Sequence, residues 1–501
     1  MKSYWIEEIK EKENYKTLKK DIETDICIIG GGITGLSIAY YLNQYKIKNV
    51  ILEKDEIGNR TTGGSTAKIT SQHGLFYKYL IDSEGEEFAK KYYEANEKAI
   101  LNIEKIIKDE NIECEFERTS SYVFTQSIDD VQKIKDEVEA VKKIGGNARL
   151  VEAHEIKIPS KIQTAIEFTN QAQFNPYKYV KSLAKICSQS HTDIYENSKV
   201  VDLEDIDSKY VITLDNGNTV KAKYVVIATK YPIINFPGLY FLKMYQSTSN
   251  AIVVDPKADL FDGMYINSEA PTISLRTIQN GEKRLLLVAG FDHKTGAEID
   301  LQDSYNYLEK VAKSMYPKCE VLYRWNTEDT IPLDKIPYIG EFSNLMPRVY
   351  VATGYKKWGM TSSNVAANII VDKIMGNENE YEEIFKAIRM EPIKNIKEVG
   401  NIVKESVYSL VLHKLEIPKE TLEQIQKDHG KVVEIEGKKV GVYKDSQGNL
   451  FKVRPICMHL GCELNWNNLD KTWDCPCHGS RYTYKGELIY GPSVKNLETY
   501  E

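Results

Sequence analysis

Two short stretches near the C-terminus hold the densest metal-binding chemistry in the sequence, Cys457-Met-His459-Leu-Gly-Cys462 and Cys475-Pro-Cys477-His478-Gly-Ser480-Arg-Tyr482. Together they offer six soft-metal ligands. Each stretch contributes thiols and one imidazole, spaced Cys-x-His in the first and Cys-x-x-His in the second. Two chemistries fit such pairs. Zinc takes four nitrogen or sulfur ligands in a tetrahedron, and Cys/His pairs at short spacing commonly build that site. A two-iron cluster of mixed ligation takes two thiolates on one iron and two imidazoles on the other, which one Cys and one His from each stretch supply: Cys457, His459, Cys475 and His478. Hydroxyls follow at Ser480 and Tyr482. Beside a cluster they would donate to sulfur and favour the reduced form, whereas elsewhere they would cap local backbone.

The residues Cys-Met-His-Leu-Gly-Cys and Cys-Pro-Cys-His-Gly-Ser resemble the two ligand loops of Rieske [2Fe-2S] proteins, departing from their commonest form chiefly at Met458. The resemblance implies Cys457, His459, Cys475 and His478 as iron ligands, and Ser480 and Tyr482 as donors to the cluster that place its potential high in the Rieske range. It leaves Cys462 and Cys477, one per loop, to meet as a disulfide.

At the other end, Asp25-Ile-Cys-Ile-Ile-Gly30-Gly31-Gly32-Ile-Thr-Gly35 reads as a buried parallel strand entering a helix through a glycine turn. Gly30 permits the tight turn, Gly32 lets backbone approach a pyrophosphate, and Gly35 lets the helix pack closely. A second strand, Asn49-Val-Ile-Leu-Glu53, ends in an acid placed to hold a ribose hydroxyl. The motif does not decide between NAD and FAD. Two further apolar strands, Lys223 to Thr229 and Arg348 to Gly354, return to the same sheet and line its cofactor crevice.

Taken in order, residues 22 to 395 resemble the D-amino-acid oxidase and glycine oxidase superfamily of FAD enzymes. The resemblance is carried by Gly30 to Gly35 with Glu53, by Thr61-Thr-Gly-Gly-Ser65-Thr66-Ala67-Lys68, by Ala228-Thr229, and by Thr353-Gly354-Tyr-Lys-Lys-Trp358-Gly359-Met360-Thr361. It implies that Glu53 holds the adenosine ribose, that Ser65 and Thr66 approach the diphosphate and flavin, that Val200 and Thr229 line the nucleotide site, and that Gly354 and Met360 lie by the isoalloxazine. The run Thr66-Ala-Lys-Ile-Thr-Ser-Gln-His73-Gly resembles a subgroup in which this flavoprotein is fused to a C-terminal Rieske domain.

The elements that must position these residues follow from pattern and length. At 501 residues the chain needs more than one core. The expected fold is an α/β FAD-binding Rossmann-like domain with an inserted α+β substrate domain, plus a small C-terminal all-β Rieske domain. Residues 22–81, 146–235 and 321–395 are assigned to FAD binding and 82–145 and 236–320 to the substrate domain. Residues 396–410 form a linker and 411–501 the Rieske domain. Net charge is −7 with no basic block, so nucleic acid is not an expected partner. No stretch reaches the roughly 20 apolar residues of a membrane-spanning helix. The charge-rich N-terminus lacks a secretion pattern and four of the eight cysteines are scattered singly, so the cytoplasm is the expected compartment.

Flavin takes a hydride or electron pair, whereas a [2Fe-2S] centre carries single electrons. Both in one chain imply a dehydrogenase of an amine or amino acid whose electrons leave through the cluster to a quinone or carrier protein. Candidate substrate residues are Arg276 as a carboxylate clamp, Lys68 beside the flavin or substrate, and His73 as base or covalent flavin tether. Tyr355, Lys357 and Trp358 share that region. The alternative is an electron-transfer or redox-sensing protein without an organic substrate. The sequence contains no second GxGxxG for a nicotinamide, and eight histidines, two of them committed to the cluster, offer no separate facial iron triad.

Overall fold

Strand Ile22–Ile29 becomes fully buried over its last four residues, where it lies between Thr219–Ile227 and Asn49–Leu52. Both neighbours run parallel to it, as near-continuous Val, Ile and Leu runs require when helices cover both faces. The computed structural model describes residues 2–9, 13–234, 236–297, 301–389 and 422–500. Its first sheet has eight strands, with the path Tyr338–Glu341, Val349–Thr353, Thr219–Ile227, Ile22–Ile29, Asn49–Leu52, Thr192–Tyr195 and a hairpin, Val200–Ile206 with Lys209–Leu214, joined to Thr219–Ile227. Helix Ile33–Gln44 is buried almost all round because it is covered by Gly359–Met375 and Pro176–Ser188. Gly35 makes that packing possible: a Cβ there would stand 2.0 Å from the Gly30 carbonyl oxygen.

A nine-stranded sheet carries the second layer, with the path Glu320–Pro332, Met244–Asp255, Lys283–Lys294, Ile273–Asn280, Met264–Asn267, Glu117–Thr125, Thr164–Gln173 and Lys68–Ile69. Ala148–Glu152 pairs with the far side of Thr164–Gln173. The boundaries expected at 146 and 321 therefore do not follow sheet membership. Residues 148–173, assigned to FAD binding, belong to the second sheet, as do Lys68–Ile69 and the strand Glu320–Pro332 that runs across residue 321. Their partners lie up to 105 positions away, as Lys68 does from Gln173, and alternation alone does not say which sheet a strand joins. The long helix Glu86–Asp109 lays an apolar stripe, with Tyr92, Ala99, Ile103 and Ile107 among its members, against the core, as its Glu/Lys-rich pattern predicts.

The C-terminal unit is all-β. Two four-stranded antiparallel sheets form it, His429–Ile435, Lys438–Lys444, Leu450–Val453 and Thr499–Tyr500 in one, and Asn465–Asn467, Thr472–Asp474, Arg481–Thr483 and Leu488–Tyr490 in the other. Trp473, Tyr482 and Leu464 fill the small core between the cysteine loops. The expected linker, 396–410, and the start of the expected domain at 411 lie outside the described residues. Among the described residues no helix is long and apolar enough to cross a membrane.

Candidate functional site

A cavity of about 780 Å³ opens where the carboxyl ends of the parallel strands meet the nine-stranded sheet. That volume is of the size that holds a large cofactor. Gly30, Gly32, Glu53, Ser65, Thr66 and Lys68 line one side, and Val200, Thr229, Gly354 and Met360 line others. Gly35 stands behind the wall. Gly30 has φ +113°, and a Cβ there would lie 2.8 Å from the Ala228 carbonyl oxygen, so the turn needs glycine twice over. Helix Ile33–Gln44 starts at Gly32, and the Thr62 hydroxyl accepts the Ile33 N–H at 3.2 Å. Gly32, Ile33 and Thr34 border the cavity, so this helix start faces it with its positive end, as a diphosphate requires. Glu53 is fixed by two backbone donors, Gly31 N–H at 2.7 Å and Asp55 N–H at 2.9 Å. Burial raises its pKa and those two bonds oppose the rise. Its remaining lone pairs can accept from a ribose.

The three substrate candidates separate. Lys68 borders the cavity, but its ammonium donates to the Tyr265 carbonyl oxygen at 2.6 Å, and burial together with Arg276 holds its pKa well below the usual value. His73 does not reach the cavity. Its ring stacks on Trp358 with centroids 4.9 Å apart, and both nitrogens are engaged, Nδ1 with Tyr92 Oη at 2.7 Å and Nε2 with the Thr70 carbonyl at 2.9 Å. Burial and the nearby Lys356 push its pKa down to about 3. A neutral imidazole with both nitrogens occupied is a prop for Trp358, not a base or tether. Arg276 also turns away from substrate. Its guanidinium donates to the carbonyls of Thr66, Ala67 and Phe174 at 2.9, 3.0 and 3.1 Å and lies 5.3 Å from the Trp5 ring. It thus holds the Ser65 to Lys68 turn, which Trp5 braces from outside through Nε1 to the Ser65 carbonyl at 2.8 Å. Nothing in the sequence pointed to Trp5.

In the C-terminal unit the two cysteine loops converge. Cys462 and Cys477 are joined by a disulfide. The sulfurs of Cys462, Cys475 and Cys477 lie within 4.8 Å of one another, but two of the three are spent in that bond. Cys457 and Cys475 are free thiols that hydrogen-bond each other, which brings Cys457 down to about 6 and pushes Cys475 up. Tyr482 Oη stands 3.5 Å from Cys457 Sγ, and Ser480 hydrogen-bonds the same sulfur. His459 and His478 face each other edge-on with centroids 5.0 Å apart. Burial lowers them to about 4 and about 3, keeping both in the neutral form a metal needs. The Nδ1 of His478 is buried without a hydrogen-bond partner. Two adjacent thiols, two neutral imidazoles and an orphaned buried nitrogen fit a two-iron centre of mixed ligation.

The two sites are neighbours. Leu488, Tyr490 and Gly491 to Val494 of the C-terminal unit form part of the cavity wall. Ser493, in that wall, donates its N–H to Ser480 Oγ at 3.0 Å, so one hydrogen-bonded step separates the cavity from a hydroxyl beside Cys457. Gln246 Nε2, on the nine-stranded sheet, reaches the carbonyls of His478, Gly479 and Gly491 at 2.9, 3.0 and 2.5 Å. Gly296 packs so close that a Cβ would meet the Cys475 carbonyl at 2.6 Å. A buried charge network completes the contact. Arg481 bonds Glu328 of the second sheet and, in its own unit, Asp470 at 2.6 Å and Asp474 at 3.0 Å. Glu328 also lies 3.6 Å from Lys230, whose ammonium stands 3.8 Å from the Tyr490 ring centroid. Gln246, Glu328, Lys230, Arg481 and Tyr490 escaped sequence reasoning, since each is a single residue with no local signature.

The FAD dependent oxidoreductase family profile matches residues 25–373, and the Rieske [2Fe-2S] domain profile matches residues 417–501. The Bacillus subtilis protein YhfW, described as a Rieske 2Fe-2S iron-sulfur protein, is 37% identical over 486 residues, which cover 97% of this chain and 95% of that protein. Gamma-glutamylputrescine oxidoreductase of Escherichia coli is 20% identical over 76% of this chain and 90% of its own. Glycine oxidase from Geobacillus kaustophilus superposes with a TM-score of 0.60 at 16% identity, over 74% of this chain and all of that one.

Proposed function

Since the chain belongs to the FAD dependent oxidoreductase family and carries a Rieske [2Fe-2S] domain at its C-terminal end, we propose that it is a dehydrogenase of an amine or amino acid that passes its electrons through the cluster to an external acceptor. The observation that carries the reading is the shared wall: Tyr490 and Ser493 of the Rieske domain line the cavity built by the FAD-binding turn. That shared wall supports a cluster that drains the flavin rather than one that serves an unrelated partner.

In this reading Gly32, the start of helix Ile33–Gln44 and Glu53 hold the dinucleotide, and Cys457, His459, Cys475 and His478 hold the two irons, with Ser480 and Tyr482 donating to the cluster. The bound flavin supplies hydride acceptance and the cluster single-electron transfer. Oxidation of the C–N bond removes a hydride from the α-carbon and a proton from nitrogen. Water then adds to the imine, giving a carbonyl compound and free ammonia or amine. Closure of the cavity by the Leu488 to Val494 segment keeps bulk water from the reacting atoms. The acceptor is a quinone or a carrier protein and the compartment the cytoplasm, a reading supported by the buried free thiols Cys27, Cys114, Cys187 and Cys319.

The test is an anaerobic titration of the purified protein with amines and amino acids. Bleaching of the flavin band followed by appearance of the reduced-cluster signal is expected. Silence across a broad panel sinks the enzyme reading, and stoichiometric zinc with no iron overturns the cluster.

A further inference from the structure

Three cations of the FAD-binding unit meet on one ring of the Rieske domain. Lys54 and Arg60 follow strand Asn49–Leu52, Lys230 follows strand Thr219–Ile227, and all of them line the cavity together with Tyr490. Their charged ends lie 5.5, 5.2 and 3.8 Å from the Tyr490 ring centroid. Arg60 also donates to the Tyr490 hydroxyl, and Lys54 donates to the Ile489 carbonyl at 2.5 Å. Lys230 lies 3.6 Å from Glu328, but its Nζ makes no hydrogen bond among the described residues. A continuous chain of bonds ties the ring to Glu53 and the glycine turn. Arg60 Nε donates to Asp55 at 2.6 Å, the Asp55 N–H to Glu53 at 2.9 Å, and the Gly31 N–H to the same carboxylate at 2.7 Å. On its other side Tyr490 pairs across the sheet with Arg481, whose neighbour Tyr482 places its hydroxyl 3.5 Å from Cys457 Sγ. Tyr490 thus joins the wall beside Glu53 to the strand that serves the cluster.

We propose, on the reading that Glu53 and the glycine turn seat FAD, that Tyr490 is a positioning residue through which the Rieske domain and FAD hold each other in place. Lysine and arginine side chains lose much rotamer freedom when they are fixed, and that loss opposes any ligand that must fix them itself. With the domain docked, Lys54, Arg60 and Lys230 are already seated on the ring and the Ile489 carbonyl. Burial, and after it the neighbouring Arg60, lower the pKa of Lys54, so its charge is incompletely compensated until an anion arrives. An anionic dinucleotide then meets pre-placed cations on a wall from which the Leu488 to Val494 segment excludes water, where their attraction is strongest. Undocking removes the ring, the Ile489 carbonyl and that segment together. FAD therefore binds the docked form more tightly, and by thermodynamic reciprocity bound FAD favours docking by the same factor. Loss of iron alone leaves this contact standing, since no cluster ligand belongs to it.

The experiment uses the full chain with FAD and cluster loaded. FAD release on dilution is followed by the rise of flavin fluorescence. Amide exchange is read in Arg481–Thr483 and Leu488–Tyr490 with FAD bound and after FAD is stripped. Losing the cation–ring contacts together should speed release from Tyr490→Leu by at least about tenfold. Tyr490→Phe keeps the ring and loses only the hydroxyl's bond to Arg60, so its release should stay within about threefold of wild type. In the wild-type chain, stripping FAD should speed exchange in both strands while Lys438–Lys444, on the other sheet of the domain, holds; in Tyr490→Leu that dependence on FAD should vanish. Release from Tyr490→Leu at the wild-type rate, equal release from the Leu and Phe variants, or wild-type exchange indifferent to FAD overturns the proposal and leaves the FAD site standing. So does an equal rise in Lys438–Lys444, which marks loosening of the whole domain. The wild-type comparison needs no variant, so it decides even where Tyr490→Leu folds poorly. A full chain that takes up no FAD overturns the site and the proposal together.

Discussion

Replacing Glu328 by glutamine keeps the shape of the side chain and removes the charge that joins the two units. Glu328 has 1% of its side chain exposed and Arg481 5%, so solvent does not screen the pair. Burial alone would raise the Glu328 pKa, yet Lys230 and Arg481 hold it below the ordinary value, so its charge is stabilised in place. Removing one partner of a buried ion pair costs about 3–5 kcal/mol. Arg481 keeps Asp470 and Asp474, which lowers the expected loss to about 2–3 kcal/mol. The contact between the Rieske domain and strand Glu320–Pro332 should then open roughly 30- to 150-fold more often. Amide exchange reads this locally: protection should fall in Arg481–Thr483 and Leu488–Tyr490 and hold in Ile22–Ile29. Adding Lys230→Met should recover part of the loss, because it removes the ammonium left without its ion-pair partner. Unchanged protection in Arg481–Thr483, to within a factor of about 3, refutes the argument, as does an equal loss in Ile22–Ile29, which would mark global unfolding.

Asp329→Asn should stabilise the protein at pH 7.5. Burial raises the folded-state pKa of Asp329 to about 6, so its contribution is fully present below the unfolded value, is lost as pH rises through 6, and leaves a cost of about 3 kcal/mol above that. Thermal melts of both forms should therefore differ at pH 7.5 and converge near pH 4. Cys457→Ser should lose iron and the cluster signal while keeping stoichiometric FAD, since the cavity turn is built by a separate unit; loss of both cofactors argues against two independent sites. Gly35→Ala should cost several kcal/mol and FAD affinity together, because its Cβ would stand 2.0 Å from the Gly30 carbonyl, and a normally stable, FAD-replete variant disproves the close packing. Arg276→Met should loosen FAD more than it weakens amine binding, read by flavin release on dilution, since its guanidinium holds the turn carbonyls of Thr66 and Ala67; selective loss of substrate binding would restore it as a clamp.

What was legible in the sequence was what is contiguous along the chain. The glycine turn, the strand ending at Glu53 and the two cysteine loops each complete their geometry within a few residues, so type and spacing were enough. Arg276 shows the limit. It sits two positions from Ser274, a cavity-lining residue of the same strand, and shares its face, so alternation alone would aim it at substrate. What takes it away is Trp5 and the Thr66 to Ala67 carbonyls, both over 200 positions distant. His73 fails as a base because Tyr92, from helix Glu86–Asp109, takes Nδ1, the Thr70 carbonyl takes Nε2, and Trp358 stacks on the ring. The interface was unreadable because its members occur singly and acquire meaning only as pairs: Gln246 with the His478 carbonyl, Glu328 with Arg481. Yet the adjacency of Glu328 and Asp329 was in the sequence throughout. Once the register places them on a strand between the cavity and the Rieske domain, the period of two assigns one carboxylate to each side. A one-residue slip there would turn Glu328 to the cavity and take it from Arg481. The register of that strand, fixed by twelve pairs with Met244–Asp255, is thus what keeps Glu328 on the face of the Rieske domain and Asp329 on that of the cavity.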